Sequence, residues 1–521
     1  MSTGRRFEKE KRFQYLILLF AVVAICCVAA YHFTPGGNSD EVEGVLWADA
    51  TLRSGRLVST TYQYPYAIPV GANVIFLPYV AALGISQTAN MLGMFTFFLI
   101  LAATAGYFMK GITDRWIIVI AGIAVFMCSF CSVMEWNLAH HILYYQLGMM
   151  CFLGMVGACF HIIKPAEKKK TIHYALLLFF AIWGGANGTP SIVLAGAPAI
   201  VAIMGSKVLF DDDTLSWKKI FRLIGWIAVG TAVGYGIYRF AMRGITETGY
   251  LDDTGSFVFQ PASEWIENLR KIPSAWLNLF LIKPPEGVEA ASADGIFVLL
   301  CVLVSVLTFL IPLICVCRIR KHSPVQQMVM IGGLAIWAVC LLEFVCLRGA
   351  EQRMLYNGIF ANFMLIAACI PGWISSGQKK TRLLTIVFAM ILGVFSLLFV
   401  CTGQRTINKG LVSELEKKGL ENGFGTFWNA NLNTVNSDGK VKIRNATFHD
   451  GMVWPEYFQS DTTWYEQPEV GGKWFIVLNE EEFSRVDQEL YESTEETYTI
   501  GGYHVMVYVA DDWEYMVKQP E

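Results

Sequence analysis

Apolar residues run along this chain in long blocks, not in the short alternations of a soluble fold. Blocks of roughly 20 residues, the length a helix needs to cross a bilayer, fall at 14–33, 88–109, 116–134, 138–163, 171–187, 190–208, 220–242, 295–317, 326–347, 356–374 and 382–402. The pattern predicts eleven transmembrane helices. A further apolar run, 65–84, contains Pro65, Pro69, Gly71, Asn73, Pro78 and Gly84. So many breakers suit an interfacial or re-entrant helix better than a spanning one. After residue 402 the pattern changes. KVKIRNATF, KWFIVLN and YHVMVYVADD read as strands, GTFWNANLNTV as another, and EEEFSRVDQELYES as a helix between strands. The fold class expected is an α-helical polytopic membrane domain, 1–402, followed by a small α+β domain, 403–521.

Composition supports this division. Of 521 residues, 54% are apolar and 16% charged, whereas a soluble chain carries about a quarter charged residues. The net charge of −3 hides two materials. Residues 1–402 hold 30 Lys/Arg against 22 Asp/Glu, and residues 403–521 hold 10 against 21. The acidic C-terminal part disfavours a nucleic-acid partner, which needs stripes of Lys and Arg. All 13 Cys lie in 1–402, within apolar runs. The C-x-x-C pair Cys128 and Cys131 sits in WIIVIAGIAVFMCSFCSVM, so it reads as small core residues, not as a redox or zinc motif.

Basic residues set the expected orientation, because cytoplasmic loops retain Lys and Arg. With the N-terminus inside and 65–84 outside, the inner segments 1–13, 110–115, 164–170, 207–222, 318–321 and 379–382 carry 21 of the 30 basic residues. If 65–84 spanned, KPAEKKK and CRIRKH would fall outside. Run 14–33 has the basic flank RRFEKEKR, but no small-residue cleavage site is evident before Tyr31 and His32, so it reads as a retained first span. The N-terminus is then cytoplasmic and the C-terminal domain extracytoplasmic. Two outer loops are long, 34–87 and 243–294. The second carries SEWIENLRKIPSAWLNLFLIKPPEG, amphipathic and Trp-bearing as interfacial helices are.

The first outer loop predicts a helix over 41–54, ended by Gly55, with Val42, Val45, Leu46 and Leu52 on one arc. Asp40-x-x-Glu43 fits a helix start with Asp40 as N-cap. Asp49 falls inside the apolar arc. It is either a buried carboxylate with a partner or a sign that the arc is misplaced.

Asp40-Glu41, then Ala48, Leu52 and Gly55, then a Pro-containing helix ending at Gly84, resembles the first outer loop of the GT-C glycosyltransferases. That superfamily includes the protein mannosyltransferases and the lipid A aminoarabinose transferases. The layout is similar as well, in order over 10–210 and more loosely over 340–375. The resemblance implies a bacterial plasma-membrane enzyme that moves a sugar from a polyprenyl-phosphate donor to an envelope glycan, lipid or protein, with inversion. It implies Asp40 as the base, with Glu41 as a second carboxylate, and a cation on the leaving phosphate.

Two more polar clusters lie at span ends. SVMEWNLAHHILYYQLG holds Glu135, His140 and His141. Family members often place an acidic residue here, frequently Asp followed by Pro; Glu135 departs from that pattern, and the resemblance implies it, with Glu41, as a carboxylate that assists Asp40. Adjacent His point about 100° apart on a helix, which argues against one metal ion and leaves an interfacial cluster or acceptor contact. LLEFVCLRGAEQRMLYNG gathers Glu343, Arg348, Glu351 and Arg353. Two ion pairs would explain them, and so would a site. The family's acidic-Arg-Tyr run is similar to Glu351, Arg353 and Tyr356 here. It implies Arg353 on the donor phosphate, with Arg348 second. Asp49, His140, His141, Glu351 and Tyr356 are substrate-binding candidates.

Other signals are weaker. GGANGTPSIVLAGAP (184–198) predicts a turn between spans. Asp211, Asp212 and Asp213 fall on the inner side and read as a solvated loop. Trp428, Trp454, Trp464, Tyr465 and Trp474 suit either a small core or sugar stacking, with core favoured. No GxGxxG, Walker or zinc-protease pattern is present. No cofactor is implied, and a divalent cation is left open. The rival readings are a transporter or flippase of a lipid-linked saccharide, which predicts helix repeats broken near mid-membrane, and a non-catalytic anchor, which needs only one span.

Overall fold

The structure, a computed structural model, describes residues 2–33, 37–64, 70–131, 145–164, 170–210, 216–245, 258–281, 286–347, 350–376, 378–402, 409–466 and 472–518. Helices follow the apolar blocks. In chain order they are α1 (Ser2–His32), α2 (Ser39–Ser54), α3 (Leu77–Leu83), α4 (Gln87–Ile112), α5 (Trp116–Met127), α6 (Leu147–Ile163) and α7 (Lys170–Ala186). Then come α8 (Thr189–Phe210), α9 (Trp217–Ala241), α10 (Ala262–Asn278), α11 (Ala293–Cys317), α12 (Pro324–Leu347), α13 (Gln352–Ser375) and α14 (Lys379–Cys401). Among the described residues eight of these, α1, α4, α8, α9 and α11 to α14, are long and apolar enough to cross a membrane. The shorter apolar helices α5, α6 and α7 coincide with the remaining expected spans. The chain is therefore an α-helical polytopic membrane protein. Among the described residues of the run 65–84 are a 3-10 turn at Ala72–Ile75 and α3, both too short to span.

The described chain forms two compact units. One comprises Met1–His32, Phe97–Tyr238 and Ser256–Gln404. In it, α6 is buried along its whole length, as an apolar all-round helix must be. Helix α12 begins with a capping box, Ser323 and Gln326 each bonding the other's backbone N–H. Helices α7 and α9 touch through glycine. A Cβ on Gly234 would stand 2.1 Å from the Ile182 carbonyl oxygen, so only glycine allows this approach.

The second unit joins Phe33–Thr96 and Arg239–Gly255 with Arg405–Glu521. The first long loop thus folds with the C-terminal segment. That segment begins with α15 (Lys409–Lys417) and carries α16 (Phe427–Asn436). Its strands are β1 (Asn422–Gly425), β2 (Lys442–His449), β3 (Met452–Pro455), β4 (Lys473–Asn479), β5 (Glu496–Ile500) and β6 (Tyr503–Val509). They form one mixed sheet in the order β3-β2-β1-β4-β6-β5. Strand β1 runs parallel to both β2 and β4, and the other pairs are antiparallel. The core of this α+β fold includes Leu411, Leu415, Ala430, Ile443, Val477 and Val505.

The GTFWNANLNTV segment is corrected from strand to helix. Phe427–Asn436 is helical and buries Asn429, Asn431 and Asn433 beside Ala430, Leu432 and Val435. A parallel pair such as β1 and β2 requires a crossover, which α16 supplies. Local β-propensity in Thr, Phe, Trp and Val was overridden by that topology. Trp464, Tyr465 and Trp474 are core residues, Trp454 is half-buried, and Trp428 is exposed.

Candidate functional site

The first group of candidates lies on α2. Its N-cap is Asn38, whose Oδ1 accepts the Glu41 N–H at 3.0 Å. The helix starts at Ser39, so Asp40 is not the cap expected from Asp40-x-x-Glu43 but the second helical residue. The Asn38 amide, one position before Ser39, already accepts a first-turn N–H. The Asp40 carboxylate is thereby released for another contact. It is half-buried, and its Oδ1 accepts a hydrogen bond from Gln459 Nε2 at 3.0 Å. Glu41 is buried, and its carboxylate turns back to accept the Gly37 N–H at 2.8 Å. Ser39 Oγ donates to the Phe427 carbonyl at 2.5 Å, fixing the start of α2 against α16.

The apolar arc drawn on α2 is also corrected. Glu41 through Ala48, Ala50 and Thr51 are all buried, and Leu52 is 43% exposed. The helix packs on several sides at once. Phe76 fills the space against Gly44, where a Cβ would meet the ring at 2.7 Å, and α16 covers another face. Gly55 ends the helix in the left-handed conformation, φ +63°.

Asp49 has a charged partner. Its Oδ2 lies 2.7 Å from Arg53 Nε, and Arg53 Nη2 lies 2.7 Å from Asp461 Oδ2. Asp461 is 1% exposed. It accepts further bonds from Thr61 Oγ1 at 3.2 Å, Thr463 N at 3.0 Å and Thr463 Oγ1 at 2.6 Å. Burial pushes the Asp461 carboxyl up, but Thr463 and Arg53 outweigh it and hold the carboxyl below the usual aspartate range. Backbone bonds continue the seam, Gln63 N to Ser460 O at 2.9 Å and Thr462 N to Thr61 O at 2.8 Å.

The second group lies where α12 passes to α13. Arg353 Nε bonds Glu351 Oε2 at 2.7 Å, and both side chains are partly exposed. Tyr356 is buried, and its hydroxyl accepts from Gln146 Nε2. Helix α12 closes in a π turn, Leu342–Leu347, that includes Glu343. Its last carbonyls are satisfied from the segment around α10. Gln260 N bonds Cys346 O at 2.7 Å, Gln260 Nε2 bonds Leu347 O at 3.3 Å, and Asn268 Nδ2 bonds Val345 O at 3.0 Å. Ala350 follows with φ +68°, its N–H on Phe344 O at 2.9 Å. Arg348, Glu135, His140 and His141 lie outside the described residues, as do Asp211, Asp212 and Asp213.

Reading the sequence did not single out Gln459, Asp461, Gln260 or Asn268. Their partners are remote in the chain, so no local spacing marks them. The first group offers carboxylates at the start of α2, one of them bonded by the Gln459 amide; the second offers a guanidinium at the start of α13, paired with Glu351.

No protein-family model matches the chain, and no curated protein matches it. Solved structures do. ArnT from Cupriavidus metallidurans in the apo state aligns with 95% of this chain and 98% of its own, at a TM-score of 0.55 and 12% identity. The same protein bound to undecaprenyl phosphate aligns with 94% and 97%, at 0.53 and 11%. An oligosaccharyltransferase from Archaeoglobus fulgidus aligns at only 0.42 and 10%, over 83% of this chain and 64% of its own. The chain therefore has a GT-C-like fold over nearly its whole length.

Proposed function

We propose that this protein is a membrane glycosyltransferase that transfers a hexosyl or pentosyl group from a polyprenyl-phosphate donor to an acceptor on the outer face of a bacterial plasma membrane. The fold shared with ArnT over 95% of the chain carries this reading. The ArnT structure bound to undecaprenyl phosphate supports a polyprenyl phosphate as the sugar's carrier. In the reaction, an acceptor hydroxyl attacks the anomeric carbon. The bond from that carbon to the donor phosphate oxygen breaks, with inversion, and polyprenyl phosphate leaves. Asp40 takes the hydroxyl proton. Glu41 and Glu135 support it. Arg353, with Arg348, pairs the charge growing on the phosphate. Glu351 orients Arg353 through their ion pair. The acceptor is a glycan, lipid or protein of the cell envelope.

The test is release of free polyprenyl phosphate from a panel of polyprenyl-phosphate sugars by the purified full chain in detergent, with and without chelator. Asp40→Asn is expected to lower turnover by at least about 100-fold, as loss of a general base does, and Arg353→Ala by a comparable factor. Turnover that survives Asp40→Asn would remove Asp40 from the chemistry. Movement of intact lipid-linked sugar across liposomes, without release, would replace this reading by that of a transporter.

A further inference from the structure

Away from the residues used above, three potential metal ligands converge where α11 turns into α12. Cys315 lies near the end of α11 and is buried. His322 closes the 3-10 turn Ile319–Lys321 and is half-buried. Cys369 lies on α13 and is 1% exposed. One ligand atom from each, the two thiol sulfurs and a ring nitrogen, lie within 4.8 Å of one another. We propose that Cys315, His322 and Cys369 bind one zinc ion, which joins α11, the basic turn and α13.

The geometry needs little adjustment. Ligand atoms at about 2.0–2.3 Å from a tetrahedral zinc lie about 3.3–3.8 Å apart. Each ligand therefore has to close by only about 1 Å, within the reach of a side-chain torsion. The donor set suits the ion. Two thiolates and an imidazole favour a soft or borderline metal over magnesium or calcium, which take oxygen. Two thiolates also neutralise the charge of Zn2+, so the bound site places no net charge at the end of the spans. His322 is open enough for water to supply the fourth ligand. The turn is held ready. Gln327 Nε2 donates to the carbonyls of Ile319 and His322 at 3.2 and 3.1 Å, and the Ser323 capping box fixes the chain just after His322. No short sequence motif announces this set, because Cys369 comes from a different helix.

The experiment uses the full chain in detergent, reduced and stripped with chelator, with Co2+ as the spectroscopic probe. Titration is expected to give the thiolate-to-cobalt charge-transfer absorption, saturating at one equivalent per chain and abolished by Zn2+. Cys315→Ser and Cys369→Ser should each lose the band. Cys317→Ser, at an exposed cysteine outside the cluster, should keep it. His322→Ala should weaken cobalt affinity by at least about tenfold. Zinc should also raise the thermal midpoint of the native chain and not that of Cys369→Ser. If Cys315→Ser does not give monodisperse protein, the Cys369 and His322 variants carry the same test. No band in the reduced native chain, or a band retained in both cysteine variants, would overturn the proposal.

Discussion

At the scale of single residues, the seam Asp49–Arg53–Asp461 shows how a charged residue earns a buried place. Asp461 has almost no exposed surface, yet both its oxygens are occupied by Arg53, Thr61 and Thr463. Burying such a carboxylate costs several kcal/mol unless it is paired and bonded. Asp461→Asn keeps the shape but removes the charge. It is expected to destabilise the protein by about 2 kcal/mol at neutral pH, less than full loss of a buried pair because Arg53 keeps Asp49. The sign with pH follows from the depressed carboxyl. The stabilisation is complete above the unfolded aspartate pKa, about 3.9, and is lost as pH falls through the lower folded value. Thermal midpoints of the native chain and Asp461→Asn, measured from pH 7 to pH 3, should therefore converge at the acid end. A constant gap would mean that the Asp461 charge is not what stabilises the seam. Arg444 is the opposite case, a buried cation whose hydrogen bonds go to neutral oxygens. It is 4% exposed, lies over the rings of Phe424 and Trp513 at 5.8 and 5.7 Å, and bonds the Trp464 carbonyl and Asn422. Burial pulls its pKa down to about 10, which still leaves it charged at neutral pH.

At the scale of elements, the spans were legible because a bilayer demands about 20 apolar residues per crossing and that signal is long. Helix α2 was legible from its turn residues, with Gly55 at the expected end. Its cap was not, because Asp40-x-x-Glu43 and Asn38 both satisfy the rule, and only the fold decides which is used. Helix α16 was misread because its residues favour strands locally, while β1 and β2 need a helix between them. The passage from α12 to α13 makes a further point. Asn268 and Gln260 bond the last carbonyls of α12, just before Ala350 and the Glu351–Arg353 pair. Asn268→Ala leaves the Val345 carbonyl buried without that donor, at a cost of about 1–3 kcal/mol. If the donor phosphate meets Arg353, this change should raise the donor KM several-fold and leave the pH profile unchanged. Ala350 holds a left-handed conformation that costs a non-glycine residue roughly 1 kcal/mol. Ala350→Gly should therefore raise the thermal midpoint slightly or leave it unchanged, whereas Ala350→Val should lower it.

At the scale of the whole molecule, the chain's linear order hides its organisation. Arg53 and Asp461 are 408 residues apart, and Asp40 and Gln459 are 419 apart, yet each pair is hydrogen-bonded. Composition divides the chain near residue 402, at the change from apolar to acidic. The compact unit containing the C-terminal sheet also contains the first long loop, Phe33–Thr96. No pattern of period 2 or 3.6 reports such a pairing, because it depends on which surfaces meet and not on which residues are neighbours. The consequence is functional. Helix α2 is buried on nearly every side, partly by α16, and the amide that steadies Asp40 comes from Gln459. The C-terminal segment is therefore part of the frame that holds the proposed base. Deleting 405–521 is expected to leave a membrane-inserted chain that releases no polyprenyl phosphate. Deletion alone does not separate a lost fold from a lost contact, so Gln459→Leu, in the otherwise intact chain, supplies the second measurement. A base that loses its orienting hydrogen bond is expected to lower kcat about tenfold with the donor KM unchanged. Full turnover in both proteins would make the C-terminal segment an appendage and would move the base away from Asp40.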